Sequence, residues 1–259
     1  MKNFIIGLLF LCGFYACSSG KENISEVDCA QYVNPFIGNA DNGHTFPGAC
    51  TPFGMIQASP ESGNASWRYC SGFNYEDDEI FGFAQNHLNG TGCPDLGDIL
   101  MLPFSGIIEN REYKARIDKS RQTARPGYYA VTLPDFGINA EVTATEHTAF
   151  YRYTYQNDEE ANLFIDLQSG LVTSPQGIRD RVLFSDMQMP DGRTITGHNE
   201  TNGWVRRHFY YVIAFDKSYK VKEMLPVREG EKAKRFVLSF DLKRGETPSW
   251  KCATAWQAP

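Results

Sequence analysis

The chain has 259 residues, with 25 Lys and Arg against 31 Asp and Glu, giving a formal net charge of −6. With 42% hydrophobic, 14% aromatic and 22% charged residues it has the makeup of a soluble, cored protein, which excludes a disordered tail, a collagen-like fibre and a multi-pass membrane protein. The acidic balance argues against nucleic-acid binding, which needs a basic stripe to displace counterions from phosphates.

In chain order, the first feature is an address. Lys2 precedes an apolar run from Phe4 to Leu11, too short to span a bilayer as a helix, which takes about 20 residues. It fits the apolar segment of a secretory signal over residues 1–16. Phe14-Tyr15-Ala16-Cys17 then resembles a bacterial lipobox, although Phe14 stands where Leu is usual and Tyr15 where a small residue is usual. The reading expects export, cleavage before Cys17, acylation of that thiol and a polar linker over 17–30. The remaining cysteines, Cys29, Cys50, Cys70, Cys93 and Cys252, form no Cys-x-x-Cys pair, so no zinc knuckle is supported. Cys50 with Cys70 is one possible bridge; buried free thiols are the simpler expectation.

From about Val33 to Gly106 the chain is crowded with Gly, Pro, Asn and Asp, interleaved with aromatic residues. Asn34-Pro35-Phe36-Ile37-Gly38, Gly43-His44-Thr45-Phe46-Pro47-Gly48 and Thr51-Pro52-Phe53-Gly54 are turn-forming strings. The Phe and Met residues among them give each loop something to bury, which predicts shaped loops. From about Tyr128 the texture becomes alternation: Ile138, Ala140, Val142 and Ala144 share one strand face, with Asn139, Glu141, Thr143 and Thr145 on the other. Strands are also expected over 150–155, 163–167, 208–215 and 236–240, parted by turns such as Pro134-Asp135-Phe136-Gly137 and Pro190-Asp191-Gly192. No window has a convincing helical period beyond a turn near 77–84. Antiparallel strands with no helices to cover them must pack sheet on sheet, so the fold class is all-β, a large antiparallel β-sandwich over 31–250. Residues 251–259 show no evident period and are expected to be a truncated or aberrant end.

The blocks Tyr32–Gly38, Gly43–Ala49, Pro52–Gln57, Cys70–Tyr75 and Gly82–Leu100, in this order and spacing, resemble the opening of glycoside hydrolase family 92. Asn39-Ala40 departs from a common Thr-Gly, and Asn89 from a usual Ser. The resemblance implies an exported, inverting, calcium-dependent exo-α-mannosidase acting on mannose-containing glycans. Its N-terminal β-sandwich would pack on a C-terminal (α/α)6 barrel. Inversion needs two carboxyl groups about 6.5–9.5 Å apart, and calcium, a hard ion, would hold sugar hydroxyls. In the family the acid, the base and most metal ligands come from the barrel, so no catalytic or metal-ligating residue is assigned here. The expected partners are mannose glycans, a membrane through the lipid anchor, and the barrel. The expected location is the periplasm or the outer membrane surface.

Substrate contacts are therefore sought among the loops. Trp67 can stack on the apolar face of mannose, or fill the core. Arg68 can bond a hydroxyl or form a surface salt bridge. His44 can bond a hydroxyl or fix its loop, and Phe36 and Phe53 can be loop anchors or platforms. In the stretch from His87 to Cys93, Gly90 and Gly92 permit close backbone approach, and Thr91, Gly92 and Cys93 can touch the sugar or brace an interface. Asp95 and Asp98 look like a carboxylate pair, yet they can equally satisfy loop amides. The competing expectation is a stand-alone carbohydrate-binding lipoprotein without hydrolysis.

Overall fold

Period-two alternation carries most of the architecture. In the strand over 148–155, Ala149, Tyr151, Tyr153 and Tyr155 are buried, while in the strand over 207–215 Phe209, Tyr211, Ile213 and Phe215 are. The computed structural model describes residues 28–257 except Ser174; the expected leader, Cys17 and the linker to residue 27 lie outside them. In chain order the strands are β1 (Ala49–Cys50), β2 (Gln57–Glu61), β3 (Glu79–Ile80), β4 (Gly82–Ala84), β5 (Leu100–Ser105) and β6 (Ala115–Arg116). Then come β7 (Asp118–Arg125), β8 (Tyr128–Leu133), β9 (Ile138–Ala144), β10 (Thr148–Tyr155) and β11 (Ala161–Asp166). After the short helix α1 (Pro175–Arg181) follow β12 (Val182–Gln188), β13 (Thr194–Thr201), β14 (Arg207–Phe215), β15 (Tyr219–Met224), β16 (Arg235–Phe240) and β17 (Ser249–Gln257).

Two antiparallel sheets result, as expected for a β-sandwich. One has seven strands in the order β1-β2-β4-β5-β11-β16-β15, the other eight in the order β12-β13-β14-β17-β10-β9-β8-β7; β3 and β6 form a small third pair. Their facing sides share one apolar core that includes Phe83, Tyr129, Tyr151, Tyr153, Phe209 and Phe236. Two buried tyrosine hydroxyls find partners across that core: Tyr155 donates to the Asn162 carbonyl at 2.7 Å and Tyr151 to Gln85 Oε1 at 3.1 Å. This satisfies groups that would otherwise be costly to bury.

Three expectations need correction. Residues 251–257, expected to belong to a truncated or aberrant end, are part of β17, which pairs with β14 on one side and β10 on the other. Cys252 faces inward opposite Ala149 and Ile213, all three fully buried. Helix α1 was not foreseen, because seven residues are too few to show a period. The five described cysteines are free thiols, but only Cys70 and Cys252 are buried; Cys29 and Cys93 are exposed. Among the described residues no helix is long and apolar enough to cross a membrane.

Candidate functional site

The glycine-rich loops around β1, β2, β4 and β5 are tied to one another, the Ser71 hydroxyl donating to the Thr45 carbonyl at 3.1 Å. The loop over 62–72 is closed at its base, where the Ser62 and Gly63 amides donate to the Gly72 carbonyl at 2.7 and 3.3 Å. Its outer arm is tied down by the Val172 amide, which donates to the Asn64 carbonyl at 2.9 Å. A 3-10 turn, Trp67–Tyr69, forms the tip, and the Cys70 thiol donates to the Trp67 carbonyl at 3.0 Å. Trp67 is thus fixed at its backbone while its side chain stays 58% exposed.

Two neighbours set the orientation of that indole. The His44 ring meets it edge to face, with centroids 5.2 Å apart and planes at 81°. Gly92 lies so close that a Cβ there would stand 2.3 Å from the six-membered ring, so a larger residue would displace the indole from this position. The loops are joined directly, because the Gly90 amide donates to the His44 carbonyl at 2.6 Å. His44 is buried in a left-handed conformation (φ 53°), and its Nε2 has no hydrogen-bond partner among the described residues.

Beneath this surface lies a polar lattice. His87, its ring between Gln57 and Glu61, places Nδ1 2.7 Å from the Gln57 carbonyl and Nε2 3.3 Å from Glu61 Oε1. Glu61 is wholly buried, and burial raises its carboxyl pKa, with His87 and Arg181 opposing. Arg181, at the end of α1, reaches Asp98 Oδ1 at 2.5 Å and the carbonyls of Leu96 and Ser169 at 2.9 Å. Asp98 is bonded in turn to Asn86, which both donates to and accepts from it at 2.9 Å. Arg207 grips both oxygens of Asp95 at 2.8 Å. Burial alone would raise the Asp95 carboxyl, but the Arg207 hydrogen bond and charge outweigh it and hold the carboxyl below its ordinary range.

The expected contacts therefore separate. Trp67, His44 and Gly92 come together. Thr91 and Cys93 lie at the rim, where the Cys93 amide donates to Thr91 Oγ1 at 3.3 Å. Arg68 donates to Asn74, Glu76 and Asp77 in a surface cluster, the salt-bridge alternative rather than an open contact. Phe36 rests edge to face on Tyr75 at 5.4 Å as a loop anchor, whereas Phe53, expected to be an anchor, is fully exposed. His87 is turned inward as described. Asp95 and Asp98 are each neutralised by an arginine, so neither stands free as a general acid or base.

Sequence reasoning missed the arginine partners and Trp204. Arg207 is 112 residues from Asp95 and Arg181 is 83 from Asp98, beyond any local pattern. The only local signal was Asn202-Gly203-Trp204, a turn pair leading to an aromatic residue just before a strand. Among the described residues no group of three or more His, Cys, Asp or Glu side chains could hold a metal ion. With Asp95 and Asp98 committed to arginines, those residues do not fit calcium, and no chemical step is assigned to it here.

Comparison with known proteins adds a common pattern. The family model described as the glycosyl hydrolase family 92 N-terminal domain matches residues 32–254. An uncharacterized secreted glycosidase of Arthroderma benhamiae is 36% identical over 149 residues, which is 53% of this chain and 19% of that protein. A family GH92 α-mannosidase from Bacteroides thetaiotaomicron, solved with mannoimidazole, superposes with a TM-score of 0.76 at 32% identity, over 87% of this chain and 32% of its own. A GH92 inverting mannosidase from the same species has the same fold, with a TM-score of 0.68 at 20% identity over 87% of this chain and 31% of its own. The chain spans about a third of the length of these solved relatives.

Proposed function

The chain belongs to glycosyl hydrolase family 92, and from that premise we propose that it is the substrate-shaping domain of an exported α-mannosidase that removes terminal α-mannose from glycans. The observation that carries the reading is Trp67, half in solvent, with its ring in contact with both the His44 ring and Gly92. The indole stacks on the apolar face of a pyranose, and the His44 ring packed against it sets its orientation. In this reading the reaction inverts, and the acid and base come from an (α/α)6 barrel of the longer enzyme, because the loop carboxylates here are paired to arginines. Calcium, when bound, supplies a hard cation for sugar hydroxyls, with ligands from that barrel. The leader and acylated Cys17 would place the enzyme outside the cytoplasm.

Titration of methyl α-mannoside into the full-length gene product and its Trp67→Ala variant tests the reading. Loss of one stacked ring of about 1–1.5 kcal/mol predicts about a tenfold weaker complex. Unchanged affinity in a folded Trp67→Ala protein would refute it.

A further inference from the structure

Resting on the mannose-binding reading of Trp67, we propose that Trp204 is a second stacking platform, which takes the next sugar unit of an α-mannoside chain whose terminal residue lies on Trp67. The two indoles flank one loop. Trp67 leans on Gly92, and the next residue, Cys93, lines a cavity of about 370 Å3 with Pro94, Asn202 and Trp204. Trp204 also borders a second cavity, of about 540 Å3, with His87, Leu88 and Asp95.

What sets Trp204 apart from an incidental exposed residue is the way its backbone is held. Its side chain is 69% exposed, yet its amide donates to Asp95 Oδ2 at 2.8 Å. Asp95 is fixed by the two bonds from Arg207 and by the Leu96 amide at 2.7 Å, and Arg207 also donates to the Val205 carbonyl at 3.1 Å. Gly203 completes the arrangement: a Cβ there would stand 2.2 Å from Asp95 Oδ1, so no other residue fits the turn. A buried ion pair is a poor source of stability, because two charges must leave water. Here it fixes the backbone from which a solvent-facing indole projects, which lowers the cost of ordering that residue on a ligand.

The surroundings are those of a sugar site. Asn202, Thr173 and Asp180 bring an amide, a hydroxyl and a carboxylate to the same cavity. An aromatic face bordered by mixed donors and acceptors suits a pyranose, whose apolar C–H face and hydroxyl rim ask for both.

The test uses the full-length protein, methyl α-mannoside and a thio-linked α-mannobiose that resists hydrolysis. Trp204→Ala should leave monosaccharide affinity within about twofold and weaken mannobiose at least about fivefold, and Trp204→Phe should restore most of the loss. An equal loss for both ligands, or no loss for either, overturns the proposal. So does failure of iodide to quench Trp204 in the sugar-free protein, which would mean that polypeptide covers the ring. Trp67→Ala separates the two readings. If it changes neither affinity while Trp204→Ala still weakens mannobiose alone, the Trp67 reading fails and the Trp204 platform stands.

Discussion

Glu61 shows how closely this surface is tied to the interior behind it. Its carboxyl is fully buried 3.3 Å from His87 Nε2, and burial, the largest influence, raises its pKa above the usual value near 4.5. A carboxyl whose pKa is higher in the folded than in the unfolded chain favours the fold while neutral. That contribution is complete below the ordinary value and fades as pH rises through the raised one. Glu61→Gln, neutral at every pH, should therefore flatten the fall in melting temperature between acid and neutral solution; a steeper fall would contradict the assignment. The residue also marks the limit of what the sequence could tell. Glu61 follows Pro60 in a strand with nothing to distinguish it, and His87 looks like any loop histidine. Their pairing depends on the approach of β2 to the segment after β4, which no spacing within the chain encodes. His44 could be singled out because it sits in a Gly- and Pro-flanked string, and Trp67 because its neighbours Asn64, Ala65 and Ser66 read as a loop.

At the scale of elements, legibility follows the number of solvent-free faces. Strands β9, β10 and β14 bury one face and alternate cleanly, so their bounds and inward residues could be read directly. Strand β7, Asp118–Arg125, buries none of its residues and carries charges along its length at the edge of its sheet, so it has no period to find. Strand β17 escaped notice for another reason: its small residues offer little hydrophobic contrast, although Cys252 meets Ala149 and Ile213 inside the core. Its position makes it indispensable. Removal of residues 249–259 should leave β10 and β14 with unpaired edges, lower the β signal in circular dichroism and cause light scattering. A soluble, fully folded product would show that the two halves of the sheet meet without it.

For the whole molecule, acid sensitivity should arise on the outer face of the eight-stranded sheet. There His198 Nε2 lies 3.0 Å from His208 Nδ1 and the His198 ring stacks on Tyr210 at 4.3 Å. Desolvation first, and the neighbouring His208 second, lower the His198 pKa, with Glu200 and Asp186 opposing. A lowered folded pKa gives stability that is present above the ordinary value near 6.5 and lost as pH falls. His198→Asn should lift the melting temperature at pH 5 relative to pH 8, and an unchanged difference would assign the acid limb elsewhere. The sandwich itself was readable from strand number and the scarcity of helices. The meeting of Trp67 with the neighbourhood of Trp204 was not, because it depends on buried arginines more than 80 positions from their carboxylates.

The central place of β17 has a consequence for biogenesis. A chain that emerges from its amino end makes strands β7 to β10 and β12 to β14 long before the piece that joins them, so the larger sheet stays in two open halves until residues 249–257 appear. Such late closure leaves the facing edges of β10 and β14 unpaired throughout synthesis, until the last strand to be made slots between them.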